Sequence, residues 1–222
     1  MSTVRRLGLL GGTFDPVHYG HLDAAEAART TLALDAVVFI PAYAPPHRAS
    51  LPRASVFHRF ALIALAVSGH PGMRVSDREL VRATPSYTAD TLRALHEEGW
   101  HRSQLFFILG TDAFADIATW REYPAVLDGA NFVVMARPGT RPEQALARTP
   151  DLMARVRQPT LSSSPAGHTW VHLMEASTRD VSSTLVRRRL AAGEPVADLV
   201  PDAVAQHIAA HHLYGAVDTL HG

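Results

Sequence analysis

The stretch from Leu7 to His21 constrains the fold more than any other part of this 222-residue chain. It opens with an apolar run ending at Leu10, which is typical of a buried strand, and the pair Gly11-Gly12 then predicts a tight turn. An alanine-rich helical pattern follows the stretch. We predict Asp15 as the N-cap of this helix and Pro16 in its first turn. This order of strand, glycine turn and helix directs the positive end of the helix dipole at whatever lies above the strand. Such a position favours an anion, most often a phosphate.

Two histidines lie at the start of this predicted helix. His18 and His21 are three residues apart, so their imidazoles project from one face towards the same anion. The glycines match neither the G-x-x-x-x-G-K-[ST] nor the G-x-G-x-x-G phosphate fingerprint. Because the chain has no lysine, a cationic phosphate contact must come from arginine, histidine, a metal ion or the backbone.

Composition narrows the class of protein. The chain has no cysteine, so disulfides and thiolate metal sites are impossible. Its 21 basic and 21 acidic residues balance, which argues against a broad nucleic-acid interface. We see neither a signal peptide nor an apolar run near the roughly 18 residues of a membrane span, and so expect a soluble cytoplasmic protein without membrane partners. The sequence leaves open whether it forms a homo-oligomer.

Apolar strand-like runs alternate with helical patterns along the whole chain. This alternation predicts one α/β domain over residues 1–222, a doubly wound, Rossmann-like parallel sheet with helices on both faces. We interpret residues 139–167 as a surface insertion. After the first strand, the predicted strands are Ala36–Ile40, Met73–Ser76, Leu105–Leu109, Asn131–Met135 and Trp170–Met174.

The run from Gly11 to His21 resembles the nucleotidyltransferase superfamily that carries the H-x-G-H motif and adenylylates or cytidylylates phosphorylated small molecules. The resemblance implies that His18 and His21 bind the α-phosphate of ATP and stabilise its transition state. It also implies ATP contacts from the whole turn. These predicted ATP-binding residues are Gly11, Gly12, Thr13, Phe14, His18 and His21.

A second helix start lies far along the chain. We predict Ser183 or Thr184 as its N-cap, and Arg187 follows on the same face, so hydroxyls, amides and a guanidinium converge on a second anion site. The pattern matches the superfamily signature Ser-Thr-x-x-Arg. The resemblance implies that Ser183, Thr184 and Arg187 bind the departing pyrophosphate, and that Arg187 is catalytic together with the histidines.

Two further motifs resemble the bacterial nicotinate mononucleotide adenylyltransferases. These enzymes carry Pro-Pro-His-Lys where this chain has Pro-Pro followed by His47 and Arg48, so the resemblance implies that this pair faces a phosphate, with arginine replacing lysine. Ser86-Tyr87-Thr88 would present backbone amides to the pyridine carboxylate of nicotinate mononucleotide (NaMN). From the residues alone, His47 could equally be a structural loop residue and Thr88 a simple helix cap.

Asp112 and Trp120 follow the strand that ends near Leu109. Asp112 could simply cap a helix, and a tryptophan is most often a core residue. The resemblance implies that both residues bind NaMN: Asp112 contacts a ribose hydroxyl, and Trp120 stacks on the pyridine ring, where a pyridinium would gain a cation–π contact.

The resemblance implies an enzyme of NAD biosynthesis that joins ATP to NaMN, giving deamido-NAD and pyrophosphate, with Mg²⁺ carried by the ATP phosphates. Alternatives are an NMN-preferring or dual-specificity adenylyltransferase, a phosphopantetheine adenylyltransferase, or a nucleotide-binding regulator without turnover. We predict no protein metal site, because His207, His211 and His212 lack a nearby carboxylate as a third ligand.

Overall fold

A computed structural model describes residues 5–44, 51–81, 84–136, 141–159, 167–175 and 178–216. Within them, seven strands form one sheet, and every neighbouring pair is parallel. The strands are β1 (Leu7–Gly12), β2 (Ala36–Pro41), β3 (Met73–Val75), β4 (Leu105–Gly110), β5 (Asn131–Ala136), β6 (Val156–Arg157) and β7 (Val171–Glu175).

The strand order is β3-β2-β1-β4-β5-β7-β6. The chain therefore runs outward from β1 through β2 and β3, returns to the middle and runs outward again from β4. Ligands of open parallel sheets bind where the winding direction reverses, at the carboxyl ends of the strands. In this molecule that point lies between Gly12 of β1 and Gly110 of β4.

Helices cover both faces of the sheet. Because side chains alternate along a strand, Leu10 packs into one core with helices from both ends of the chain, whereas Leu9 packs into a second core with helices from its middle. The predicted doubly wound fold is confirmed. The helices are α1 (Tyr19–Thr31), α2 (Val56–Val67), α3 (Thr88–Glu97), α4 (Thr111–Ala115), α5 (Ser183–Ala191) and α6 (Asp202–Ala210).

The five strands predicted after β1 are present, with ends shifted by at most one residue. The tight turn predicted at Gly11-Gly12 is wrong, because β1 continues through both glycines. Strand β6 was missed, and it lies inside the segment 139–167 that we interpreted as a surface insertion. Within this segment, Leu146 and Leu152 pack into the second core. Across the described ranges, none of the helices has the length and apolarity to cross a lipid bilayer.

Candidate active site

The loop between β1 and α1 holds the two histidines against each other. The backbone N–H of His18 donates to Nδ1 of His21 at 3.3 Å, and the two rings stack with centroids 3.7 Å apart. The Phe14 ring meets His21 edge-on at 4.9 Å. Because Nδ1 of His21 accepts a hydrogen bond, its Nε2 carries the proton in the neutral ring and is the donor for a ligand. The structure therefore confirms that the two imidazoles sit together at the helix start.

The predicted start of α1 is wrong by a few residues. The N-cap is His18, and Asp15 precedes the helix. The Asp15 side chain is buried and accepts hydrogen bonds from the backbone N–H groups of Arg53 (2.8 Å) and Ala54 (3.1 Å) and from the Tyr214 hydroxyl (2.8 Å). Burial, followed by the nearby Asp15 carboxylate, raises the pKa of Tyr214, which keeps this hydroxyl a donor. The Asp15 carboxylate thus binds the β1–α1 loop to the segment at Arg53 and to Tyr214, and it does not cap the helix.

Steric crowding explains why the His-x-Gly-His motif has a glycine, Gly20, at its third position. A Cβ atom on Gly20 would lie 3.2 Å from the Arg179 carbonyl oxygen and 3.2 Å from Nδ1 of His18. Glycine therefore lets the segment before α5 approach the start of α1 closely. Arg179 holds this approach, because its guanidinium pairs with Asp23 at 2.8 Å and lies 3.7 Å from the Tyr19 ring centroid.

Helix α5 is tied to the same loop. The Ser183 hydroxyl donates to the Pro16 carbonyl at 2.8 Å. Arg187 donates to the Asp15 carbonyl at 2.6 Å and to the Thr184 hydroxyl at 3.2 Å. The predicted cap is wrong, since Ser182 is the N-cap and its hydroxyl accepts from the Leu185 N–H at 3.1 Å. Both predicted anion sites nevertheless face each other across one gap.

That gap is a cavity of about 510 Å³, which we call the larger cavity. It lies between the starts of α1 and α5, and its floor is formed by the carboxyl ends of β1 and β4. It contains every predicted ATP-binding residue. These are Gly11, Gly12, Thr13, Phe14, His18, His21, Ser183, Thr184 and Arg187.

A smaller cavity of about 270 Å³ adjoins it and shares the Gly11–Thr13 backbone. Its walls include Ser86-Tyr87-Thr88 at the start of α3 and the Trp120 ring. Tyr87, not Thr88 as proposed for a simple cap, is the N-cap. Trp120 packs edge-on against Phe107 with centroids 5.9 Å apart, so it is both part of the core edge and a wall of the cavity.

Two groups of predicted contacts differ from the rest. Asp112 lies in the first turn of α4, whose N-cap is Gly110, and it lines the larger cavity, whereas the sequence predicts it as an NaMN contact. His47 and Arg48 lie outside the described residues.

Comparisons with known proteins agree with this geometry. The family model described as cytidylyltransferase-like matches residues 9–189. A protein of Pseudomonas entomophila named "Probable nicotinate-nucleotide adenylyltransferase" is 42% identical over 96% of both chains. A Roseiflexus protein of the same name is also 42% identical, over 94% of this chain and 97% of its own. The chain belongs to the nicotinate-nucleotide adenylyltransferase family.

The family fold is also seen in a distant solved structure. The Plasmodium falciparum nicotinic acid mononucleotide adenylyltransferase complexed with NaAD is 17% identical, with a TM-score of 0.72 over 96% of this chain and 98% of that chain. At this identity the likeness supports the fold alone.

Two arginines of this family member were not singled out as site residues by the sequence. Arg179 lines the larger cavity and Arg121 the smaller one. Arg121 contacts Asp90 at 3.2 Å, and its guanidinium carbon lies 4.8 Å from the Tyr87 ring centroid. Arg121 directly follows Trp120, and Arg179 lies four residues before Ser183. Closeness in sequence to these predicted site residues was therefore the signal that could have identified both arginines. Their orientation depends on contacts with distant residues.

Proposed function

We propose that this protein transfers the adenylyl group of ATP to NaMN, giving deamido-NAD and pyrophosphate. One observation carries the proposal: two cavities of different chemistry meet at the Gly11–Thr13 backbone. One is bordered by two histidines, two arginines and helix starts, which suit a triphosphate, and the other by an aromatic wall. A reaction that joins two nucleotides through their phosphates needs this arrangement.

In this proposal Mg-ATP occupies the larger cavity. His18 and His21 donate to the α-phosphate, where negative charge builds up during transfer. The start of α5 and Arg187 bind the β- and γ-phosphates, and the contacts of Arg187 with Asp15 and Thr184 use two of its five N–H donors. Mg²⁺ enters with ATP and is shared among the phosphate oxygens, so it counts as part of the substrate.

The chemical step is displacement at phosphorus. An oxygen of the NaMN phosphate attacks the α-phosphorus of ATP, and the bond from the α-phosphorus to the bridging oxygen breaks, so that pyrophosphate leaves with Mg²⁺. The attacking phosphate has a second pKa of about 6 and is already largely ionised at pH 7, so no general base is required. Catalysis then rests on alignment of the two phosphates and on charge stabilisation.

The NaMN ring lies in the smaller cavity in this proposal. Trp120 stacks on the pyridinium, and the backbone amides at Tyr87-Thr88 bind its carboxylate. Arg121 lines the same wall, where its guanidinium is paired with the Asp90 carboxylate. Three expectations remain predictions. They are the contacts of His47 and Arg48 with the NaMN phosphate, the contact of Asp112 with a ribose, and the cytoplasmic location.

The test is product identification. Purified protein incubated with Mg-ATP and NaMN should form deamido-NAD and pyrophosphate in equal amounts, resolved by liquid chromatography and a coupled pyrophosphate assay. His21→Ala at the same concentration is the control for contaminating activity. Binding of ATP without any product would instead support the nucleotide-binding regulator, and adenylylation of phosphopantetheine instead of NaMN would overturn the proposal.

A further inference from the structure

A cluster of three histidines lies outside both cavities. His58 is in the first turn of α2, His207 is near the end of α6, and His211 directly follows α6. Helices α2 and α6 pack together in the first core, and this packing brings the three rings to one place. The sequence showed the pair His207 and His211 but not a third ligand, since His58 is far away along the chain.

The ring nitrogens have the spacing of metal ligands. Nδ1 of His58 lies 3.1 Å from Nε2 of His207, and one ring nitrogen from each histidine lies within 4.8 Å of the others. Tetrahedral zinc with Zn–N bonds of about 2.0–2.1 Å separates its ligand nitrogens by about 3.3 Å. No pair therefore needs to close by more than about 1.5 Å. Rotation of exposed His211 can supply most of that movement.

The chemistry of the cluster selects the kind of metal. Imidazole is a good ligand for zinc, copper and nickel, whereas magnesium and calcium require oxygen ligands. Three imidazoles close together therefore favour zinc, copper or nickel at this place.

We propose that His58, His207 and His211 form a binding site for one divalent transition-metal ion, zinc above all, with water as the fourth ligand. His211 is exposed, so the open coordination position faces solvent. The site is separate from the adenylyl-transfer site and is distinct from the Mg²⁺ that ATP carries.

The position of the site indicates what the metal does. Arg59, next to His58, is buried and donates to the Thr13 carbonyl at 2.7 Å. Three residues after His211, the Tyr214 hydroxyl binds the Asp15 carboxylate. The bound ion therefore links the start of α2 to the end of α6, and these are the two segments whose neighbouring residues bind the β1–α1 loop. We infer that it stabilises the native state and takes no part in the chemical step.

Calorimetric titration of zinc into tag-free, chelator-treated protein tests the site. The native chain should bind one equivalent, and cobalt in its place should give the visible absorption bands of a tetrahedral site. A hundredfold excess of zinc over its Kd should raise the Tm by about 5 °C. His211→Ala and His207→Gln should each weaken zinc binding by at least about tenfold and abolish the Tm shift.

The matched control is His212→Asn. His212 is exposed, adjacent to the cluster and outside it, and asparagine tolerates its positive φ of 49°. This variant should bind zinc as the native chain does. The site is refuted if the native chain binds no stoichiometric zinc, if the His211 and His207 variants bind it equally well, or if His212→Asn loses as much affinity as they do.

Discussion

The rings of His18 and His21 are held in place by contacts with each other. A backbone amide fixes the Nδ1 of His21, and ring stacking fixes the plane of His18. Donors held in place before the reaction stabilise developing charge without a cost for reorganisation. At the residue scale, the catalytic proposal therefore rests on the orientation of the rings as well as on their identity.

We expect His21→Ala to lower kcat by at least about 100-fold, because it removes a donor that acts in the transition state. KM for ATP and NaMN should change much less. Steady-state kinetics measure both. Exposed His96, whose ring nitrogen Nε2 contacts the Gly129 carbonyl at 2.9 Å, supplies the control His96→Ala, which should keep native kinetics. A near-native kcat in His21→Ala would remove this histidine from the mechanism.

Arg187→Ala should weaken ATP binding by roughly 10- to 150-fold, because a charge-assisted phosphate contact contributes about 1.5–3 kcal/mol. Some kcat should be lost too, if the contact tightens on the leaving pyrophosphate. Arg187→Lys should recover part of the affinity, since lysine keeps the charge but not the planar fork. Calorimetry with a non-hydrolysable ATP analogue measures the affinities. Unchanged binding together with unchanged turnover would refute the second anion site.

At the scale of elements, helix starts surround both cavities, and their positions show what the sequence can predict. The strands β2 to β5 and β7 were placed to within one residue because hydrophobic periodicity is a local signal. The caps of α1 and α5 were wrong because tertiary contacts decide which side chain is available: Asp15 is engaged by Arg53, Ala54 and Tyr214, so it cannot cap α1. Each cap lies within a few residues of its predicted position, so the motifs still identify the cavities.

Selectivity for NaMN should reside in the start of α3 and not in the aromatic wall. We therefore expect Trp120→Ala to raise KM for both NaMN and NMN while leaving the ratio of their kcat/KM values nearly unchanged, because Trp120 stacks on both rings. Trp100→Ala, which truncates a tryptophan at the edge of the same core but outside the cavity, is the control and should keep both KM values. A ratio that collapses in Trp120→Ala would assign selectivity to the indole.

At the scale of the whole molecule, the C-terminal segment holds the active-site loop through Tyr214. Tyr214→Phe removes the hydrogen bond to the Asp15 carboxylate and should lower the free energy of unfolding by about 1.5–3 kcal/mol. Urea denaturation measures this loss. Tyr123 has a longer hydroxyl contact, 3.4 Å to Asp151 at the surface, so Tyr123→Phe should cost less than about 0.5 kcal/mol. Equal effects in the two variants would contradict the role of Tyr214.

The same long-range contacts explain what the sequence could not predict. The two-residue strand β6 is too short to give a periodic pattern, and it forms because β7 offers it an edge. His58, the third histidine of the proposed metal site, becomes a neighbour of His207 only when α2 packs on α6. By contrast, the motifs that line the two cavities are continuous in sequence, so they could be read directly.

The most direct test of the central claim compares substrates in one assay. Purified protein with saturating Mg-ATP is given NaMN, NMN or phosphopantetheine, and kcat/KM is measured from pyrophosphate release with the adenylylated product identified by mass. The amides and positive dipole end at Tyr87-Thr88 favour a carboxylate by about 1–3 kcal/mol. We therefore predict that NaMN exceeds NMN by at least about tenfold and that phosphopantetheine gives no product. Equal or greater efficiency with NMN, or product from phosphopantetheine alone, would contradict the account.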